Sequence, residues 1–160
     1  MNTKLFISHI IITLISIAIF SIILVNIEND TYEIIFRIVF LILILSLYIL
    51  SGYLSTNTYS KVNISEYSII AVIGIIIWVF CFWTSPTDLN WKKGDGGVWL
   101  FYMIYVSSLL ESTDWIFQIF KTTKPNIKVS IFLLLSLSII PSFMQYLGGL
   151  KKRNELQVND

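Results

Sequence analysis

Polar residues in this chain are gathered into short islands between five long apolar blocks, at residues 5–25, 34–54, 67–83, 98–120 and 129–147. About 20 apolar residues is what a helix needs to cross a hydrocarbon layer about 30 Å thick. No water reaches the backbone there, so a helix that closes its own hydrogen bonds is the expected form of each block. The pattern predicts an all-α integral membrane helical bundle with five transmembrane helices, and four as the alternative. No connector is long enough for a soluble domain, so residues 1–160 read as one polytopic membrane domain.

The first block follows a short polar start carrying Lys4. It is longer than the apolar core of about 7–15 residues in a signal peptide and lacks an A-x-A cleavage site, so it is expected to be retained. In the second block, Arg37 lies in the first turn, where a long side chain can reach the headgroups. Ser46, Ser51 and Gly52 supply small residues for close helix packing. The third block is short and ends in aromatic residues. The connector at 85–97, SPTDLNWKKGDGG, is the longest and richest in turn residues. Trp83, Trp91 and Trp99 bracket it, as an interfacial aromatic belt would. In the last block Pro141 is expected to introduce a kink, since its ring removes a backbone hydrogen bond. Ser136, Ser138 and Ser142 can bond backbone or neighbouring helices. Lys151, Lys152 and Arg153 are expected to end the span, leaving a polar tail.

The block at 98–120 breaks the pattern by carrying Glu111 and Asp114. At 100° per residue Ser107, Glu111, Asp114 and Gln118 fall within an arc of roughly 60°, one polar stripe on an apolar helix. A carboxylate in hydrocarbon costs about 2.5–3.5 kcal/mol, so the stripe is expected to face protein or water. If this block does not span, it lies along the interface or re-enters.

With five spans, the start of the first and the end of the fourth share one side of the membrane. His9 then lies roughly 6 Å and Asp114 roughly 9 Å inside that boundary, at 1.5 Å per residue. His9, Asp114 and Glu111 could thus form a proton-handling cluster, with Arg37 on the opposite side and a poor partner for the carboxylates. The plainer expectation is that the acids are protonated and bond Ser107, Ser108, Ser112 or a backbone carbonyl.

Composition agrees with the pattern. Of 160 residues 56% are hydrophobic and 13% charged, and mean hydropathy is +0.78. A soluble domain carries about 25% charged residues, so there are too few here to cover a soluble surface. A net charge of +1 gives no electrostatic case for nucleic acid. The single cysteine, Cys81, and single histidine, His9, leave no cysteine or multi-histidine metal site, and no cofactor is expected. Cys81 also has no nearby histidine to activate it, and Glu111 and Asp114 share one helix instead of meeting across two. Asp88, Asn90 and Asp95 do not have the spacing of a calcium loop. Catalysis is therefore not expected.

Basic residues divide five against six between the two sides of a five-span chain, so the positive-inside rule does not decide orientation alone. The first hairpin has Lys4 before it and no Lys or Arg at 26–33, which favours a cytoplasmic N-terminus. Isoleucine-rich usage points to a bacterial cytoplasmic membrane. The expected role is that of a non-enzymatic accessory protein, whose partners are the lipid bilayer and a membrane protein or a second copy of itself. The alternative is an oligomeric small-solute or proton/ion transporter using Glu111 and Asp114.

Overall fold

The computed structural model describes residues 3–23, 26–27, 30–57, 62–85, 97–122 and 127–159, with side chains up to 113 in the fifth of these segments and at 132–157 in the sixth. The described residues form helices and no strand: α1 (Thr3–Ile23), α2 (Asp30–Ser55), α3 (Ile64–Tyr67), α4 (Ile69–Thr84), α5 (Trp99–Thr122) and α6 (Ile127–Asn159). The protein is all-α, and five long helices occupy the five apolar blocks. Among the described residues three stretches are long and apolar enough to cross a membrane, Thr3–Ile23, Asp30–Ser55 and Phe132–Gln157.

The ends have local causes. Asp30 and Glu33 stand in the first turn of α2, where carboxylates oppose the positive end of the helix. Asn63 caps α3 by accepting the Ser65 N–H at 3.2 Å. Ser68 separates that single turn from α4, so Tyr67 does not open the third apolar helix as the block boundary suggested.

Helix α1 buries polar groups and exposes large apolar ones, unlike a helix in a water-soluble protein. Its buried face holds His9, Thr13 and Ser16 among Leu5, Ile12 and Phe20, whereas Ile7, Ile11, Leu14 and Ile22 are 50–67% exposed. Polar groups turned inward and isoleucines outward suit an apolar surrounding.

Contacts fix the directions of four helices. Helices α1 and α2 are antiparallel, with His9 against Tyr48 and Phe20 against Phe36 and Phe40. Helices α4 and α6 are also antiparallel. Tyr67 meets Tyr146, Ala71 meets Ser142, Gly74 meets Ser138 and Trp78 meets Phe132. By contrast α2 and α6 run the same way, Ser51 beside Gln145 and Thr56 beside Gly149 and Lys152. Their backbones touch: a Cβ added at Gly52 would fall on the Gln145 carbonyl, and one at Gly148 on the Ile49 carbonyl. Helices α1, α2, α4 and α6 thus alternate in direction.

Helix α5 stands outside this alternation and crosses the others. Trp99 and Tyr102 meet α4 and α6, Tyr105 meets α1 and α4, and Ser108 and Glu111 meet α2. Tyr48 and Arg37 are about 16 Å apart along α2, yet their partners Ser108 and Glu111 are only about 4.5 Å apart along α5. A helix running alongside α2 would not show that mismatch. Its middle is enclosed on every side, with Val106, Ser107, Ser108 and Leu109 buried in succession.

Several expectations change. The polar tail is helical, because α6 continues to Asn159 through Leu, Lys, Arg, Glu and Gln, all good helix formers. Pro141, where a kink is expected, is fully buried inside the same continuous helix. Of the bracketing tryptophans, Trp83 is 87% exposed, but Trp99 is fully buried and donates its indole N–H to the Ser85 carbonyl at 2.8 Å. Trp99 is a core residue, not part of a belt, and Trp91 lies outside the described residues. Ser46 is exposed and bonds the Ile42 carbonyl of its own helix, so of the three small residues Ser51 and Gly52 are the ones packed against α6.

Candidate functional site

The interior holds a set of polar side chains that the crossing of α5 brings together. At its centre the Tyr48 hydroxyl lies 2.8 Å from His9 Nδ1 and 2.9 Å from Ser108 Oγ, joining α1, α2 and α5. All three are buried. The His9 ring stacks on Tyr48 and tilts against Tyr105, with ring centres 5.8 and 4.8 Å away. Its Nε2 has no hydrogen bond of ordinary geometry, and Thr13 Oγ1, one turn along α1, is likewise without one.

Two further tyrosines on α5 tie it to the α4–α6 pair. Tyr102 donates to the Leu134 carbonyl at 2.7 Å and shares a 2.6 Å hydrogen bond with Ser138 Oγ. Tyr105 donates to the Ile70 carbonyl at 2.7 Å. Gln145 joins α1, α2 and α6. Its amide nitrogen donates to the Leu5 carbonyl (3.2 Å), Ser8 Oγ (3.1 Å) and Ser51 Oγ (3.0 Å). Two hydrogens serve three acceptors, so one is shared.

Where α1 and α2 meet at their other end, Arg37 is buried. Its Nε and Nη2 each lie 2.8 Å from Glu33 Oε1, and its Nη1 donates to the Glu111 carbonyl oxygen. The guanidinium also lies over the Phe20 ring, 5.5 Å from its centre.

The residues singled out from the sequence are distributed as follows. His9 is inside the bundle and bonds Tyr48. Ser107 is buried and bonds the Ile104 carbonyl of its own helix at 2.9 Å. Glu111 is half-buried, and its main chain meets Arg37, the residue that five alternating spans would place across the membrane from it. The crossing of α5 overturns that separation. Asp114 and Gln118 belong to α5, but their side chains lie outside the described residues. So do Asp88, Asn90 and Asp95. Ser108 and Ser112, considered as partners for the acids, instead bond Tyr48 and the Ser108 carbonyl, the latter at 3.4 Å. Among the described residues no group of three or more His, Cys, Asp or Glu is placed to hold a metal ion.

Tyr48, Tyr102, Tyr105 and Gln145 were not singled out from sequence. Gln145 carried the clearest signal, an amide side chain within an apolar block. The tyrosines did not, because a phenol suits an interface, an aromatic core or a hydrogen-bond network equally well. Compared with known proteins, the chain matches no protein-family model, no curated protein and no solved structure.

Proposed function

We propose that this chain is a multi-pass protein of a bacterial cytoplasmic membrane that acts by packing against another membrane component, as an accessory protein and not as an enzyme. It crosses four times, through α1, α2, α4 and α6, with both termini in the cytoplasm, and α5 is a crosswise helix embedded among them. One observation carries this reading. The Tyr48, Tyr102, Ser108 and Ser138 hydroxyls, the Gln145 amide nitrogen and the Arg37 guanidinium close on neighbouring helices, while the outward faces present isoleucine, leucine, valine and aromatic rings. Polar groups used in this way hold helices together and line no path.

The side made by α4 and α5 is where a partner would seat, because Phe80, Trp83 and Phe101 are 60–87% exposed there. Aromatic rings of this kind carry much of the energy of protein contacts. A photoreactive residue at Phe80 or Phe101 should give one discrete protein adduct in cells, and the same residue at Ile7 or Val39 should not. Equal labelling at all four positions, or lipid adducts alone, would reject the accessory role.

A second reading is an oligomeric proton or cation path using Glu111 and Asp114. It is favoured by two buried polar atoms beside Tyr48, His9 Nε2 and Thr13 Oγ1, that lack a hydrogen bond of ordinary geometry, since sites of this kind can admit internal water. In proteoliposomes, Glu111→Gln and Asp114→Asn should then each remove most of a proton- or cation-coupled flux. Absence of flux in the unmodified protein, or flux indifferent to both changes, excludes it.

A further inference from the structure

Near the C-terminal end of α2, a groove of about 380 Å³ opens between this helix and α6, lined by Ser46, Ile49, Leu50, Tyr53, Lys151 and Glu155. We infer that this groove binds one phospholipid whose headgroup carries both a phosphate and a primary ammonium group, as in phosphatidylethanolamine. The inference rests on the membrane reading above, which places the groove at the cytoplasmic boundary of the bilayer.

The groove has an order of chemistry that a lipid matches. Ile49 and Leu50 form an apolar wall on the part of α2 that faces outward, and Leu50 is 49% exposed. Lys151 begins the charged stretch of α6, just where the apolar run of that helix ends. Acyl chains would lie along the wall and the phosphate would meet Lys151, as basic residues at helix ends meet headgroups. Glu155 stands one turn further on, fixed by the Tyr53 hydroxyl, which donates to Oε2 at 2.8 Å. A carboxylate held one helical turn beyond an ammonium fits a headgroup with the opposite order of charges. It disfavours a purely anionic one. The neighbouring Lys152 is engaged elsewhere, donating to the Thr56 carbonyl at 2.7 Å with its ammonium over the Tyr53 ring. That contact fixes the helix ends that frame the groove.

The full chain in mild detergent, titrated with phosphatidylethanolamine, phosphatidylglycerol or inorganic phosphate and read by native mass spectrometry, tests this. The unmodified protein should retain phosphatidylethanolamine about fivefold better than phosphatidylglycerol. Glu155→Gln should remove that preference without weakening phosphatidylglycerol, and Lys151→Gln should weaken both lipids about fivefold. Equal retention of the two lipids by the unmodified protein overturns the inference, as does displacement of both by inorganic phosphate. A second measurement needs no variant. Photoreactive phosphatidylethanolamine in vesicles should label residues 46–53 and 151–155, whereas label spread along all exposed apolar faces overturns the site. Failure of the membrane arrangement would be seen separately, in the sidedness of the two chain segments.

Discussion

Tyr48 shows how one side chain gains its role from what crosses it. Its hydroxyl stands between His9 and Ser108, and all three are shut away from the outside. Removing the oxygen leaves a ring nitrogen and a serine hydroxyl without their shared partner in a medium that offers no replacement. Tyr48→Phe should therefore destabilise the bundle by about 1–2 kcal/mol in denaturant titration of mixed micelles, at the upper end for polar contacts between membrane helices. Tyr53→Phe removes an exposed hydrogen bond to Glu155 and should cost less than about 0.5 kcal/mol. Equal losses in the two variants would mean that the buried triad does not hold the helices together. Gln145 was legible as an unusual residue from sequence. Its three acceptors were not, since they lie 94, 137 and 140 positions away on two other helices.

Among the elements, the α2–α6 contact is the tightest, and it depends on glycine. Nothing about Gly148 in the sequence marks it off from a helix-ending glycine, the usual meaning of a Gly pair followed by lysines. The structure uses it differently. Helix α6 passes straight through Gly148 and Gly149, and the missing side chains let the backbone rest on Ile49, Thr56 and Tyr67. Gly148→Ala should force the two helices apart and destabilise by about 1–3 kcal/mol, despite alanine's better helix propensity. A neutral or stabilising result in the same titration would show that the contact is looser than described. The extension of α6 to Asn159 follows from the same use of the glycines. Once they do not end the helix, nothing in KKRNELQ does.

For the whole molecule the decisive feature is the direction of α6. Third and fifth spans of a regularly alternating chain run parallel, but α4 and α6 are antiparallel. Placed in a bilayer, this direction fits the proposed four crossings better than five. In a Cys81→Ser background, single cysteines at Thr58 and Val158 should respond alike to an impermeant thiol reagent, and those at Thr87 and Thr123 should share the opposite response. Thr123 grouping with Thr58 would restore five crossings and put Glu111 and Asp114 on a true span.

The sequence by itself determined the class of this protein. Apolar blocks as long as a bilayer is thick, with few charges between them, leave the backbone one way to satisfy its hydrogen bonds, which is helical. It also marked the 98–120 block as exceptional, because charge within an apolar helix is a local property. What only the tertiary structure decided was the arrangement. Hydropathy registers how apolar a segment is and not its direction, so it cannot separate a helix that spans from one that crosses among its neighbours. The pairing of Arg37 with the Glu111 carbonyl, of His9 with Tyr48 and of Gly148 with Ile49 all depend on that arrangement. Each joins residues far apart in the chain, and packing alone brings them together.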